Sequence, residues 1–307
     1  MNIVIEEIMV HLFSIVIPHH NIPQLLLRCL DSIPDTPEVQ VIVVDDNSSE
    51  DKVDFKHFPG LERKYTQCIF DKEGGGAGHA RNIGLRHADG KWLVFADADD
   101  FFTKNAFDTL RKHKDAPQDI ILFKADSVDS DDYTPTERHL ALNNAIDAVL
   151  SGSLSAKKAV LSKPVPWCKM FRQEYIQSKG IQFDETMASN DQMFVAKATC
   201  WAKEDAVAVD PDILYTVTTR KGSLMDNWGK DPANYLCRLE VQIRYNKFVK
   251  AYPTIRQEPI IIILANSLHF GLGTFFKALG LVLQKNALFS GVGFKKIVKH
   301  VKLKLKQ

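Results

Sequence analysis

The 307-residue sequence predicts an α/β fold with a mostly parallel central sheet that carries helices on both faces. Short apolar runs alternate with helical patterns along the first half of the chain. These runs are apolar throughout rather than at every second residue, as in strands that are buried on both faces. Each run also stops at polar or turn-forming residues, which predicts strand ends.

Four strands are predicted before residue 100, and helical patterns separate them. The strands are "FSIVIP" (13–18), "VQVIVVDD" (39–46), "KYTQCIF" (64–70) and "KWLVFAD" (91–97). Apolar spacing predicts a helix through Leu26, Cys29, Leu30 and Ile33, and another through Ala80, Ile83, Gly84 and His87. A fifth strand is predicted over 119–128 and a further helix over 140–150.

Polar residues follow all four early strands. They are His19, His20 and Asn21; Asp45 and Asp46; Asp71 and Lys72; and Asp97, Asp99 and Asp100. In parallel α/β sheets, ligands bind beyond the carboxyl ends of the strands. We therefore expect one site built from four strand ends.

The segment "WLVFADADDFF" (92–102) places three carboxylates within four positions after a buried strand. Carboxylates this close repel one another unless a cation or hydrogen-bond donors offset the charge. Mg²⁺ and Mn²⁺ prefer such oxygen ligands and usually share them with substrate phosphates. The segment predicts a divalent metal site, with a solvated turn that caps the next helix as the alternative.

The glycine-rich segment "EGGGAGHARN" does not match a nucleotide-binding fingerprint. The G-x-G-x-x-G pattern would need glycine at His79 or Arg81, and no Gly-Lys-Ser/Thr follows. It predicts a flexible turn that opens a helix whose amino terminus can face an anion. A plain tight turn is the alternative.

In "SNDQMF", Asp191 precedes an apolar helical run, and Trp167 and Lys169 lie on an aromatic-rich segment before it. Asp191 could act as a general base if an acceptor hydroxyl lay within hydrogen-bond reach. The alternative is that Asp191 only caps the helix.

Taken in order, these motifs resemble the family-2 glycosyltransferases of the GT-A fold. The resemblance covers about residues 12–225. It rests on "SIVIPHHN", "VIVVDDNSSED", "GGGAGHARNIGL", "LVFADADDF", "PWCKMFRQEYI", "IQFDETMASNDQMF" and "YTVTTRKGS". It implies a GT-A catalytic domain over 12–225. The composition predicts a basic helical extension over 226–307, with a membrane surface or an oligomer contact as its alternative partners.

The resemblance also implies roles for individual residues. Asp191 would be the catalytic base. The nucleotide-sugar would contact Pro18, Asn21, Asp46, Arg81, Asp97, Arg220 and Ser223. Asp99 would be the direct ligand of Mn²⁺ or Mg²⁺, with Asp97 closer to the ribose but also within the metal-binding pair. Trp167, Lys169 and Asn190 would lie beside the acceptor or behind the residues that touch it.

Two positions depart from the family pattern. His20 stands where tyrosine is common, so contacts to the base could differ. Asn190 stands where glutamate is common, which removes a charge beside Asp191 and could alter its pKa.

The implied activity is inverting transfer of a sugar from a nucleotide-diphospho-sugar, a UDP-sugar in the first instance, to a saccharide or lipid-linked saccharide. Bacterial surface-polysaccharide synthesis is the expected setting. A sugar nucleotidyltransferase is one alternative, although it would want a glycine- and arginine-rich loop after the first strand. A non-catalytic carbohydrate-binding or assembly module is the other. We expect no nucleic-acid partner, and the oligomeric state stays open.

The charge is unevenly distributed. The net charge is +1, yet residues 259–307 contain eight lysines and no acidic residue, so the rest of the chain carries −7. The tail places Phe294, Ile297, Val298 and Val301 beside lysines, a pattern suited to an anionic membrane surface. For the apolar stretch 260–283, we expect membrane contact rather than crossing.

Five cysteines without a CxxC pair suggest neither a disulfide framework nor a zinc site. The amino terminus has Glu6 and Glu7 where a signal peptide would be apolar. We expect a cytoplasmic protein, possibly peripheral on the inner face of the membrane.

Overall fold

The computed structural model describes residues 11–220 and 231–291. The strands are β1 (Phe13–His19), β2 (Val39–Asp46), β3 (Thr66–Asp71), β4 (Trp92–Phe95), β5 (Phe101–Phe102), β6 (Ile120–Asp129), β7 (Lys169–Arg172) and β8 (Val207–Thr219). The helices are α1 (Pro23–Asp31), α2 (Gly76–His87), α3 (Ala106–Lys112), α4 (Leu140–Leu150), α5 (Ala156–Ser162), α6 (Gln173–Ser178), α7 (Gln192–Trp201), α8 (Pro232–Val249), α9 (Ile260–Asn266) and α10 (Leu272–Gln284).

These strands form one sheet in the order β3-β2-β1-β4-β7-β6-β8-β5. The half that contains β1 to β4 is parallel, as predicted. Beyond β4 the sheet is mixed, because β7 runs antiparallel between β4 and β6 while β8 is parallel to β6. His19 pairs with Asp45, and Asp46 pairs with Asp71, so the ends of three strands meet at one edge.

The main core lies on both faces of this sheet, and every residue of β1 and β4 is buried. An aromatic cluster fixes α7 against β4 and β7. Phe194 of α7 stacks on Phe183 at a centroid distance of 4.0 Å, and it meets Phe95 and Phe171 edge-on at 5.5 and 5.4 Å. This packing sets the position of the amino-terminal end of α7, where Asp191 lies.

The carboxyl-terminal helices form a smaller core of their own. Leu239 and Ile243 of α8 pack with Ile260 of α9 and Val282 of α10. The apolar stretch 260–283 is interrupted by a 3₁₀ turn and by Gly271 at φ 89°. Within the described ranges, no helix combines the length and the hydropathy needed to cross a bilayer.

Two expectations fall partly on residues outside the described ranges. The expected division of the chain at 225/226 lies within residues 221–230. The basic tail with Phe294, Ile297, Val298 and Val301 lies beyond residue 291.

Candidate active site

The ends of β1 and β2 are joined by a buried histidine–aspartate pair. His19 Nδ1 lies 2.7 Å from Asp45 Oδ1, and the Ile22 N–H donates to His19 Nε2 at 3.1 Å, so the ring proton lies on Nδ1. The backbone and hydroxyl of Ser48 also donate to Asp45. Burial alone would raise the pKa of Asp45, but these donors outweigh it and lower the pKa. The pair therefore holds the two strand ends together.

Asn21 and Asp46, both predicted nucleotide contacts, organise the loops at the sheet edge. Asn21 has φ 58°, and its side-chain oxygen accepts from the Ser49 N–H at 2.9 Å. Asp46 Oδ1 accepts from the N–H groups of Gly75 and Gly76 at 2.8 and 3.1 Å. Asp46 thus tethers the glycine turn that opens α2. Pro18 is buried inside β1, next to His19.

The glycine turn opens a helix, as predicted, and it also allows a close approach between two segments. A Cβ at Gly78 would lie 2.1 Å from the Asp184 carbonyl oxygen and 2.9 Å from Asn190 Cβ. Only glycine therefore lets α2 pack against residues 184–190. His79 lies between two carboxylates, 3.5 Å from Asp71 Oδ2 and 3.2 Å from Glu185 Oε2.

Arg81 of α2 connects the strand-end carboxylates with the start of α7. Its Nη2 donates to Asp97 Oδ1 at 2.5 Å, and its Nη1 donates to Asn190 Oδ1 at 3.0 Å. The guanidinium also lies over the Phe183 ring at 5.4 Å. Because Asn190 is a neutral acceptor, Arg81 forms its ion pair with Asp97 rather than with a carboxylate at position 190. Asp97 is bonded to this guanidinium, and Asp191 lies within its electrostatic reach.

The loop that carries Asp97 and Asp99 is fixed by its backbone. The Asp97 N–H donates to Tyr215 Oη at 2.8 Å. The Asp99 carbonyl accepts from Arg28 Nη2 at 2.6 Å and from Thr218 Oγ1 at 2.7 Å. Arg220 Nε donates to the Asp99 carboxylate at 3.1 Å, so the predicted metal ligand and a predicted nucleotide contact lie side by side.

Tyr215, Thr218 and Arg28 were not among the predicted site residues. Tyr215 and Thr218 belong to the segment "YTVTTRKGS", whose resemblance to the family offered a signal. Arg28 lies on α1, and its local sequence does not indicate a contact with the loop that carries Asp97 and Asp99. Ser223 lies outside the described residues.

The carboxylates of this loop fit a shared divalent cation. Burial raises the pKa of Asp99, the charge of Asp97 raises it further, and Arg220 opposes both. Among the described residues, no group of three or more His, Cys, Asp or Glu side chains could hold a metal by itself. Two carboxylates completed by substrate phosphates are, however, a usual arrangement for Mg²⁺ and Mn²⁺. The donor set therefore fits a metal that binds together with a diphosphate.

Asp191 lies at the amino-terminal end of α7, but its side chain makes no capping hydrogen bond. The residue is partly exposed. Burial raises the pKa of its carboxyl group, and the nearby Arg81 lowers it. The capping alternative is not what the structure contains, and the carboxylate is left for another partner.

Trp167 and Lys169 lie beneath the site rather than on its surface. Trp167 is 4% exposed and stacks on Tyr215 at 6.1 Å. Lys169 is fully buried, and its Nζ donates to the carbonyls of Val165 and Lys163 at 2.7 and 3.2 Å. Burial lowers the pKa of Lys169 to about 8. Its charge lies within electrostatic reach of Asp191.

Comparisons with known proteins bear on the family and the fold of the chain. The model of the family described as "Glycosyl transferase family 2" matches residues 14–179. The *Staphylococcus aureus* poly(ribitol-phosphate) beta-N-acetylglucosaminyltransferase TarS is 26% identical over 73% of this chain and 38% of its own length. The *Bacillus spizizenii* poly(ribitol-phosphate) beta-glucosyltransferase is 28% identical over 74% and 35%. The chain thus spans little more than a third of these curated relatives.

Among solved structures, TarS residues 1–349 in complex with UDP-GlcNAc superpose with a TM-score of 0.63 and 22% identity, covering 90% of this chain and 83% of that one. A *Pyrobaculum calidifontis* mannosyltransferase with GDP-Man and Mn²⁺ gives a TM-score of 0.53 at 17% identity, covering 96% and 80%. These matches confirm the expected GT-A fold. By its sequence and its fold, the chain belongs to glycosyl transferase family 2.

Proposed function

We propose that this chain transfers a sugar, with inversion, from a nucleotide-diphospho-sugar to a hydroxyl group of a saccharide or lipid-linked saccharide. UDP-sugars are the first donors to consider, since the TarS fragment was solved with UDP-GlcNAc. The setting is bacterial surface-polysaccharide synthesis at the cytoplasmic face of the membrane. The names of the relatives add poly(ribitol phosphate) to the acceptors worth assaying.

The observation that carries this proposal is the Arg81 bridge. It joins Asp97 at the sheet edge to Asn190, the neighbour of Asp191, through bonds of 2.5 and 3.0 Å. A donor diphosphate at the sheet edge and an acceptor hydroxyl at the start of α7 would then face each other across a short gap. That is the arrangement that a single in-line displacement requires.

In the proposed reaction, Asp191 accepts the proton of the acceptor hydroxyl as the hydroxyl oxygen attacks the anomeric carbon. The nucleoside diphosphate departs on the opposite side, so the configuration at that carbon inverts. Arg81 fixes the positions of the Asp97 and Asn190 side chains by hydrogen bonds to both. Arg220 supplies positive charge beside Asp99. When bound at Asp99 and Asp97, Mn²⁺ or Mg²⁺ would neutralise charge on the leaving diphosphate.

The two alternatives have less support. A nucleotidyltransferase would want a phosphate-binding loop after the first strand, but the residue there, His19, is buried and bonded to Asp45. A non-catalytic module would not require the partly buried Asp191, whose side chain does not cap α7 and which lies near the acidic loop.

The test is a panel of UDP-, GDP- and CDP-sugars, each incubated with the chain and a poly(ribitol phosphate) or lipid-linked acceptor. We expect release of one nucleoside diphosphate that depends on Mn²⁺ or Mg²⁺ and stops when EDTA is added. Proton NMR of the product should show an anomeric configuration opposite to that of the donor. Retained configuration, or no release from any donor, would contradict the proposal.

A further inference from the structure

Helix α10 has two apolar faces, and only one of them is packed. Ala278 and Val282 are fully buried against α8 and α9. On another side of the helix, Leu272, Phe276 and Leu283 are 67%, 63% and 55% exposed. At 3.6 residues per turn, these three side chains fall within an arc of about 40°. They form one continuous exposed stripe.

Two further exposed apolar residues flank α10 in the sequence. Leu268 precedes α10 and is 50% exposed, and Phe289 follows it and is 76% exposed. Of the fourteen large apolar residues that the described part of the chain exposes, five lie between positions 268 and 289. Such a concentration marks an interaction surface rather than scattered exposure. We call these five residues the α10 surface.

The segment that carries the α10 surface contains only positive charges. Residues 259–307 contain eight lysines and neither aspartate nor glutamate. Lys277 lies exposed on α10 itself, and Lys285 lies exposed at its end, 3.4 Å from Glu240 of α8. Bulky apolar side chains flanked by lysines suit a helix that lies in the headgroup region of an anionic bilayer.

A second copy of the chain fits this surface less well. A two-fold dimer would place the same patch of both copies together. The exposed Lys277 of α10 would then lie near Lys277 of the other copy, and the like charges would repel each other. An anionic bilayer supplies both the acyl chains for the apolar residues and the negative charge for the lysines. We therefore propose that the α10 surface inserts into the headgroup region of an anionic membrane.

This orientation would bring the candidate active site close to the lipid. Helix α10 packs on α8, and α8 contacts the segment around Asp191: Gln242 bonds Gln192 at 3.1 Å, and Arg244 pairs with Asp184 at 2.8 Å. The membrane surface would thus lie one helix away from the start of α7. The membrane contact would serve to present a lipid-linked acceptor, and this role rests on the proposed function. The contact with lipid itself does not depend on that function.

The test is flotation of the full chain with vesicles of neutral phosphatidylcholine or of phosphatidylcholine with phosphatidylglycerol. We expect binding to the anionic vesicles alone. The triple variant Leu272→Ser, Phe276→Ser, Leu283→Ser should lose about tenfold or more of its partitioning, because three large apolar side chains no longer enter the bilayer. The control Leu61→Ser, Leu140→Ser, Leu150→Ser changes three leucines elsewhere, which are 46%, 42% and 54% exposed, and should bind like the parent.

Three results would overturn the inference. The parent chain could fail to bind anionic vesicles. The triple variant could bind like the parent while a variant with Lys295, Lys296, Lys299, Lys302, Lys304 and Lys306 all changed to Gln loses binding, in which case the tail charges act alone. Sedimentation could show a dimer that the triple variant abolishes. Metal-dependent release of UDP in vesicle-free buffer, measured on the same variant, reports on the proposed function separately.

Discussion

At the scale of single residues, Arg81 links the two halves of the candidate site. It is 6% exposed and reaches both Asp97 and Asn190, so its position is set by packing as well as by charge. The neutral Asn190 leaves Asp191 as the carboxylate at the start of α7. Both Asp97 and Arg81 lie within electrostatic reach of this carboxylate.

We expect Asp191→Asn to lower kcat by about 10²–10⁴-fold, because the amide cannot accept the proton of the acceptor hydroxyl. Binding of UDP should be unchanged, because Asp191 is proposed to act on the acceptor hydroxyl and not on the nucleotide. The matched control is Asp115→Asn, whose exposed carboxylate pairs with Lys91 at 2.8 Å. Steady-state kinetics and UDP titration measure both quantities. Turnover of the Asp191 variant at the parental rate would show that another group is the base.

Lys169 should make stability depend on pH. Its pKa is lowered by burial from 10.5 to about 8. Between these values Lys169 binds more protons in the unfolded chain than in the folded one, so its contribution to the free energy of unfolding should rise as the pH increases. The full shift corresponds to about 3 kcal/mol. Cysteine thiols whose pKa is raised by burial act in the opposite direction in both proteins; they are Cys29, Cys68, Cys168 and Cys200. In urea unfolding between pH 7.5 and 10.5, the free energy of unfolding of the parent should therefore rise relative to that of Lys169→Met. Equal pH dependence in both proteins would refute it.

At the scale of secondary-structure elements, the position of α2 depends on the absence of a Cβ atom at Gly78. Gly78 allows the helix to approach the Asp184 carbonyl, and this approach brings Arg81 to Asn190. The same contact orders residues 184–190, which lead into α7. One missing Cβ therefore affects both sides of the candidate site.

We expect Gly78→Ala to lower the free energy of unfolding by about 1–3 kcal/mol through overpacking and to lower activity as α2 shifts away from Asn190. Gly273→Ala is the matched control. Gly273 lies within α10, and no atom lies within 4 Å of a Cβ built there. Alanine at that position should stabilise the chain by about 0.5–1 kcal/mol. Thermal unfolding of the two variants measures the contrast, and equal effects would contradict the close-approach argument.

The elements that the sequence predicts well are those with a local signal. Strands β1 to β4 lie within two residues of their predicted bounds because continuous apolar runs end at Asp, His or Asn. Strand β7 has four residues, too few to show a period. Strand β8 contains Asp210, Pro211 and Asp212, and its register against β6 shifts near Phe123 and Lys124. The local sequence does not indicate which distant strands pair with each other or in which register.

The candidate site follows the same pattern. Asp97, Asp99 and Asp191 stand in recognisable motifs, so they could be proposed from the sequence. The hydrogen bond from Arg28 to the Asp99 carbonyl could not be proposed from the sequence, because it depends on how close α1 lies to that carbonyl in the fold. The burial of Trp167 and Lys169 likewise depends on β7 joining the sheet between β4 and β6.

At the scale of the whole molecule, the carboxyl-terminal helices support the catalytic sheet. Their small core is separate from the main one, but α8 reaches the segment before α7. Arg244 pairs with Asp184, whose side chain is 14% exposed. The backbone N–H of Asp184 donates to the Asn190 carbonyl at 3.0 Å. The helical region thus helps to place Asp191.

We expect Arg244→Met to lower kcat by about 10- to 100-fold, since small displacements of reacting groups are costly. UDP affinity should be unchanged, because neither Arg244 nor Asp184 is among the proposed nucleotide contacts. The control is Arg256→Met, which removes an exposed ion pair with Glu258 on the same helical region. A loss of UDP affinity equal to the loss of kcat would indicate general unfolding rather than misplacement of Asp191.

The most direct test of the account is calorimetric titration of UDP with and without Mn²⁺, on the parent chain and on Asp99→Asn. In the proposed site, Asp97 and Asp99 share a divalent cation with the diphosphate of the donor. UDP should therefore bind the parent much more tightly when Mn²⁺ is present, and Asp99→Asn should lose most of that gain. Equal UDP affinity in all four titrations would contradict the central claim.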